Sequence, residues 1–172
     1  SMAPVAVSSV DRFAVSDDGS LIVFATADGG PVALPTASAV PLPIPISGPA
    51  SSFAFRPQSH DAVIAAGGAI TLVRAIDTNP SYKILGDLPA DPTAMSFAAD
   101  GRRFLAVYSD GRIQMSDLAS GSFAPAWCSC AVSGLEPLDG DSVFLLRGEG
   151  QQPPFLFDGA KNRVVFVGRG EQ

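Results

Sequence analysis

Short apolar runs alternate with polar, glycine-containing turns along this chain, and the same arrangement occurs four times. Each unit begins at an apolar anchor residue, and the four anchors are Phe13, Phe53, Met95 and Leu135. Successive anchors lie 40, 42 and 40 residues apart. A repeat of about 40 to 45 residues that contains several short strands is typical of a β-propeller blade. The pattern therefore predicts an all-β fold with four blades.

Each blade is predicted to contain four antiparallel strands, a to d. Asp-Gly pairs between apolar runs favour tight hairpins, because glycine accepts a positive φ. The predicted b strands are 21–25, 63–66, 104–108 and 143–146, and the c strands are 32–34, 70–74, 113–115 and 155–157. The d strands are 40–46, 82–85, 123–128 and 164–167. No window has a helical period and the chain has 17 Gly and 15 Pro, so we expect almost no helix.

The blade boundaries follow from these strands. We predict a single domain over residues 1–172, with blades at 10–47, 50–87, 92–130 and 133–169. Residues 3–7 align with the segment before the second anchor, and they are predicted to be a surplus fourth strand within an N-terminal segment, 1–9. Ser1 and Met2 resemble the scar left by tag removal, so a signal peptide could have preceded them.

Blade faces pack against one another, so an open arc of four blades leaves two apolar sheet faces in water. Three arrangements would cover them. Two chains could form an eight-bladed ring as a homodimer, the chain could be the C-terminal part of a larger propeller with missing upstream blades, or four blades could close into a ring. Geometry favours the first two, because a ring of four needs tightly twisted, wedge-shaped blades.

The third unit carries a family resemblance. Residues 109–121 (SDGRIQMSDLASG) resemble the end of a WD-repeat blade, and residues 97–101 (FAADG) resemble the turn between its first two strands. Ser116 stands where such blades usually have Trp, and the Gly-His pair of true WD repeats is missing. The chain is therefore WD-repeat-like. The resemblance implies a scaffold that binds proteins or other ligands on its end faces, and it implies no chemistry.

Charge and hydropathy exclude some classes of partner. The formal net charge is −6 and no basic stripe occurs, so we expect no nucleic-acid binding. No run of 18 apolar residues is present, so we expect no membrane insertion. Low charge with abundant Ala, Ser, Gly and Pro resembles an exported bacterial protein slightly more than a cytoplasmic one, and localisation stays open.

Residues with catalytic or metal-binding chemistry are few. His60 is the only histidine, in a turn predicted to be solvated, and the adjacent Ser59 and Asp61 do not make it catalytic, because triad members converge from distant positions. Cys128 and Cys130 are predicted to be half-buried free thiols on a strand, since a bridge across one residue would be strained. Two thiolates do not complete a zinc site, and the Asp-rich turns lack calcium-loop ligands, so no metal or cofactor is predicted.

The predicted contact surface is the propeller end that carries the b–c loops. Its candidate binding residues are Asp28, Tyr108, Arg112, Arg147, Glu149 and Gln151. The d–a loops reach the same end. Residues 147–154 form the longest and most irregular b–c loop and are the first candidate for a contact.

Two functional classes remain open. The first is a non-catalytic scaffold for protein–protein or ligand interaction. The alternative is a propeller enzyme or its accessory domain, of the lactonase, glycosidase, quinoprotein or peptidase-gating type. Enzymes on this scaffold need converging acidic, histidine or metal groups, and the inner strands offer only Glu136 and Arg56 as charged residues. The pattern therefore favours the scaffold.

Overall fold

The computed structural model describes residues 10, 12–25, 30–128, 130–138, 142–148, 150 and 153–166. Within these ranges the chain is all-β, with sixteen strands and no helix. The strands form four four-stranded sheets, and in each sheet the neighbours are antiparallel and follow chain order. Each sheet is one propeller blade, as the sequence predicts.

The strand bounds of the four blades are as follows. Blade 1 consists of β1 (Arg12–Val15), β2 (Leu21–Ala25), β3 (Pro31–Pro35) and β4 (Leu42–Pro43). Blade 2 consists of β5 (Ala50–Phe55), β6 (Ala62–Ala66), β7 (Ala69–Arg74) and β8 (Ser81–Asp87). Blade 3 consists of β9 (Ala94–Phe97), β10 (Arg103–Val107), β11 (Arg112–Asp117) and β12 (Phe123–Trp127). Blade 4 consists of β13 (Val132–Pro137), β14 (Val143–Gly148), β15 (Phe155–Asp158) and β16 (Arg163–Phe166).

The b and c strands lie within two residues of their predicted bounds. The fourth strand of blade 1 differs, because β4 has two residues where seven were predicted. Pro41, Pro43 and Pro45 have no N–H to donate to the ladder, so only a short pairing with β3 forms. The predicted surplus strand at 3–7 lies outside the described residues.

The chain divides into two compact units, Ser1–Asp91 and Pro92–Gln172. In the first unit, blades 1 and 2 pack face to face through apolar residues that alternate along their strands. From blade 1 this core takes Val23 and Ala33, and from blade 2 it takes Phe53 and Ile64. Val23, Ala33 and Ile64 are fully buried. The burial of one apolar face per strand explains the alternating pattern of the sequence.

The second unit is built in the same way from blades 3 and 4. Its core contains Leu105 and Ile113 from blade 3, and Phe144 and Phe157 from blade 4, all with no solvent exposure. The rings of Phe144 and Phe157 lie 6.5 Å apart on neighbouring strands. Residues of strands a, b and c therefore carry the packing in both units.

The face of blade 1 opposite its core is also apolar. Strand alternation and register place five of its residues together, and we call them the blade 1 outer face: Phe13, Val15, Ile22, Val32 and Leu34. Phe13 is 67% exposed and Val15 is 45% exposed. The corresponding blade 4 outer face includes one row across all four strands: Glu136, Leu145, Leu156 and Val165.

Candidate functional site

The b–c turn of blade 3 meets the end of its fourth strand. Arg112, the first residue of β11, is paired in register with Trp127, the last residue of β12. The Tyr108 amide donates a hydrogen bond to the Arg112 carbonyl (2.9 Å), which closes the turn between β10 and β11. The Cys128 amide then donates to the Gly111 carbonyl (2.9 Å). These bonds gather Tyr108, Arg112 and Trp127 at one end of the blade.

The guanidinium of Arg112 lies at the centre of this group. Its Cζ atom is 5.1 Å from the centroid of the Tyr108 ring and 5.6 Å from the ring of Trp127, distances at which a cation interacts with an aromatic face. Nη2 of Arg112 also donates to Oδ2 of Asp110 (2.6 Å). Within the described ranges, the buried Nε of Arg112 has no hydrogen-bond partner. We call Tyr108, Asp110, Arg112 and Trp127 the Trp127 surface.

Exposure differs strongly within the Trp127 surface. Trp127 is 64% exposed, whereas Tyr108 is 1% exposed. Ala126, beside Trp127, packs against the core of the unit, so alternation directs Trp127 to the opposite face. The surface thus presents a large aromatic side chain to solvent on a rigid base of Tyr108 and Arg112.

Electrostatics fixes the charges of this base. Hydrogen bonds from the Arg112 side chain and amide, together with its positive charge, lower the pKa of Asp110. Burial raises the pKa of the Tyr108 hydroxyl. The positive charge of Arg112 lowers this pKa by a smaller amount, and the negative charge of Asp110 raises it further. Near neutral pH the surface therefore holds a neutral phenol and a carboxylate paired with a guanidinium.

The two cysteines directly follow this surface, and the prediction of free thiols is wrong. Cys128 and Cys130 form a disulfide, with their Cα atoms 5.1 Å apart. The sequence interpretation extended the fourth strand through Cys128, where residues two apart would be about 6.6 Å apart. Strand β12 ends at Trp127 instead. The bend that follows brings the two residues within the usual range for a disulfide.

The predicted binding residues are brought together only in part. Tyr108 and Arg112 belong to the Trp127 surface. Arg147 instead forms an ion pair with Glu136 of the blade 4 outer face. Asp28, Glu149 and Gln151 lie outside the described residues, and so does a further residue of the predicted contact loop 147–154, residue 152. Sequence reasoning missed Trp127, although a lone tryptophan at the end of a strand is a usable signal.

A second polar group lies in the first unit, around His60. Nδ1 of His60 is 2.8 Å from Oδ2 of Asp77, and Nε2 is 2.9 Å from Oγ of Ser20 and 3.2 Å from Oδ2 of Asp18. We call these four residues the His60 bridge. It joins the a–b turns of blades 1 and 2 to the c–d turn of blade 2. His60 lies in the turn between β5 and β6, as predicted, and its side chain is partly buried, at 28% exposed.

The His60 bridge resembles a Ser–His–Asp triad in its distances, but its protons are placed differently. Ser20 Oγ lies 2.8 Å from Asp18 Oδ2, so its hydroxyl donates to that carboxylate and its lone pair accepts from Nε2–H of His60. Burial lowers the pKa of His60, but hydrogen bonds and charges from Asp77 and Asp18 outweigh it and raise the pKa. When both ring nitrogens carry a proton they donate to the two carboxylates, so the ring then links Asp77 to Asp18.

The His60 bridge borders a cavity of about 380 Å³, lined by Asp17, Asp18, Gln58, Ser59 and His60. Among the described residues, no group of three or more His, Cys, Asp or Glu side chains has a geometry suited to a metal ion. No helix of the described part of the chain is long and apolar enough to cross a membrane.

No protein-family model matches the sequence, and no curated protein matches it. Solved structures do. A chain of the mitotic checkpoint complex is similar with a TM-score of 0.75 and 15% identity, over 91% of this chain and 49% of that chain. Hydrazine synthase from Kuenenia stuttgartiensis is similar with a TM-score of 0.73 and 14% identity, over 90% of this chain and 47% of that chain.

The Cps50 (Swd1) beta-propeller domain of Myceliophteria thermophila is similar with a TM-score of 0.66 and 14% identity, over 87% of this chain and 53% of that domain. The chain thus spans about half the length of the solved chains that it resembles. At these identities the similarity concerns the fold alone. The four antiparallel blades and these similarities show a β-propeller fold, which the WD-repeat-like pattern of the third unit predicts.

Proposed function

We propose that this chain is a non-catalytic scaffold that binds a protein segment through the Trp127 surface. The observation that carries the proposal is the exposed Trp127 ring held against Arg112, which is itself held by Tyr108 and Asp110. Tryptophan, tyrosine and arginine dominate the binding energy of protein interfaces. The two aromatic residues bury large areas with few rotating bonds, and the planar guanidinium of arginine presents several donors in a fixed arrangement. The enzyme alternative stays a prediction, with no supporting observation among the described residues.

Preorganisation supports this role. An exposed aromatic ring that is already fixed loses little side-chain entropy when a partner covers it. Trp127 also lies at the end of β12, an edge strand that pairs with β11, so the position of its backbone is set by the blade. A partner could pack an apolar side chain against the Trp127 ring and place a hydrogen-bond acceptor at the Arg112 guanidinium. This arrangement suits an extended peptide with an apolar side chain beside a carboxylate or a carbonyl.

The test is a selection of random peptides displayed on phage against the full chain. Peptides that bind the wild-type protein are expected to bind Trp127→Ala and Arg112→Ala at least tenfold more weakly. Phe123→Ala is the matched control, because Phe123 is an exposed aromatic residue (41%) at the other end of β12. Selected peptides that bind Trp127→Ala as tightly as the wild type would overturn the proposal.

The same scaffold is proposed to self-associate, with a second copy on the blade 1 outer face. Phe13 and Val15 expose apolar surface there, and the face is a full sheet surface of the kind that elsewhere packs against another blade. We propose that the partner's blade 4 outer face covers it, with Leu145, Leu156 and Val165 against the apolar side chains. Two copies together match the length of the solved propeller chains.

Light scattering across a concentration range tests self-association. The wild-type protein is expected to have a mass of roughly 35 kDa, twice the 17.6 kDa of one chain. Phe13→Asp is expected to be monomeric, because it places a charge in the interface. Ile84→Asp is the control, since Ile84 is an equally exposed apolar residue (69%) on β8. A wild-type monomer at all concentrations would exclude the dimer.

A further inference from the structure

The disulfide between Cys128 and Cys130 lies in the connection between β12 and β13. It closes a loop with one intervening residue. The stabilisation that a disulfide gives by restricting the unfolded chain grows with the length of the loop, so this bridge gives little of it. It also joins no two distant parts of the fold. Its contribution must therefore be sought in its immediate surroundings.

Those surroundings are the Trp127 surface. Cys128 follows Trp127 directly, and its amide donates to the carbonyl of Gly111, which stands between Asp110 and Arg112. The backbones approach closely here. A Cβ atom on Gly111 would lie 2.2 Å from the carbonyl oxygen of Cys128 and 3.2 Å from that of Cys130. The backbone carbonyls of Cys128 and Cys130 therefore limit how closely the turn that carries Arg112 approaches the end of the strand that carries Trp127.

The two sulfurs differ in access. Cys130 is 7% exposed, whereas Cys128 is half-buried. Thiol–disulfide exchange requires a thiolate to reach one sulfur in line with the bond that breaks, so the more accessible Cys128 is the site of attack and Cys130 is the leaving group. The disulfide is therefore open to exchange through one sulfur, that of Cys128, while Cys130 lies in the core of the second unit.

We propose that Cys128 and Cys130 form a thiol–disulfide exchange site for small thiols such as glutathione, and that their redox state controls the Trp127 surface. A thiolate attacks Sγ of Cys128, the bond between the two sulfurs breaks, and Cys130 leaves as a thiolate that takes up a proton. A second thiolate then attacks the sulfur that the small thiol contributed to the mixed disulfide. Cys128 leaves as a thiolate and takes up a proton. Two thiols become one disulfide, and the protein gains two thiols.

Reduction removes the covalent constraint on the loop that touches Gly111. The reduced segment can then adopt conformations in which the hydrogen bond from the Cys128 amide to the Gly111 carbonyl is broken. Trp127 is therefore no longer held at one distance from Arg112. The exchange chemistry is independent of any partner. The control of binding rests on the function proposed above, and the two parts therefore need separate readouts.

Trp127 is the only tryptophan of the chain, so its fluorescence reports this site alone. The full-length protein is equilibrated in buffers with a graded ratio of reduced to oxidised glutathione. Free thiols are then trapped with a maleimide and counted by intact mass. We expect the count to rise from zero to two across the series, and the Trp127 emission to shift with the same midpoint. Circular dichroism at both ends checks that the fold is retained.

The double variant Cys128→Ser, Cys130→Ser is expected to take up no maleimide and to have an emission that does not depend on the glutathione ratio. If this variant fails to fold, the wild-type titration alone decides the question. A disulfide that stays intact in the most reducing buffer, or a complete reduction that leaves the Trp127 emission unchanged, would overturn the proposal. Selected peptides that fail to distinguish Trp127→Ala would instead overturn the binding function and leave the exchange site standing.

Discussion

Nδ1 of His60 lies 2.8 Å from Oδ2 of Asp77. The two residues flank the core strands of blade 2, and the other ring nitrogen reaches Ser20 and Asp18 in blade 1. One imidazole therefore connects two carboxylates from consecutive blades of the first unit. Because both neighbours are acids, the bridge is complete when the ring carries its second proton.

Stability is expected to fall as the pH rises through the titration of His60. The pKa of His60 in the folded protein is above its ordinary value of 6.5, so the stabilisation is fully present below about pH 6 and is lost as the pH rises through the folded pKa. Urea unfolding of the wild type should give a lower midpoint at pH 8 than at pH 6. His60→Gln should lack this change, and an equal decrease in that variant would contradict the assignment.

At acid pH the stability of the protein is expected to fall as the pH decreases, because of Asp100. Burial raises the pKa of Asp100, but the amides of Arg102 and Arg103 and the Arg103 guanidinium lower it by a larger amount. Its stabilisation is therefore present above about pH 4 and is lost as the pH falls through the folded pKa. Asp100→Asn keeps an acceptor for the turn but loses the charge, so its unfolding midpoint should fall less between pH 5 and pH 3. An identical pH profile would contradict this.

Gly111→Ala is expected to destabilise the protein by about 3 kcal/mol or more, from the cost of a positive φ and a backbone clash together. Gly111 has a φ of 83°, and an added Cβ would lie 2.2 Å from the Cys128 carbonyl. Gly68→Ala is the matched control, because Gly68 has a φ of 81° and no atom within 4 Å of an added Cβ. It should cost about 1–2 kcal/mol in urea unfolding. Equal losses would show that the contact with Cys128 is unimportant.

Phe144→Ala is expected to cost about 3–5 kcal/mol of unfolding free energy, because it opens a cavity between blades 3 and 4. Phe144 has no solvent exposure and contacts Phe157. Phe123→Ala, at a position that is 41% exposed, should cost about 1 kcal/mol or less. Denaturant unfolding measures both, and comparable values would contradict the packing described for the second unit.

The blades could be predicted because strand alternation and turn chemistry are local. Leu21–Ala25 is predicted with its exact bounds, since an apolar run follows an Asp-Gly turn and one of its faces is buried in the core. The fourth strand of blade 1 is shorter than predicted, because three of the seven residues in 40–46 are prolines without an N–H group for the ladder. The local pattern thus identifies the strands, and it predicts the wrong length where residues cannot donate to the hydrogen-bond ladder.

The candidate site was predicted only at Tyr108 and Arg112, since both belong to the hairpin turn that the sequence marks. Trp127 reaches them by the register between β11 and β12, which composition does not give. The same limit applied to His60, whose partners Asp18 and Asp77 come from other turns. The disulfide was missed because the strand was assumed to continue past Trp127. Contacts that depend on register or on a bend are beyond the local pattern.

The prolines of β4 have a consequence for how this protein can aggregate. β4 is the edge strand of blade 1, and the Ile44 amide beside it already donates inward to the Pro31 carbonyl (3.0 Å). An edge with few free N–H groups cannot template the cross-β stacking by which misfolded chains add to a sheet. Blade 1 can therefore expose Phe13 on its outer face, while its edge strand β4 does not accept a further strand from another chain.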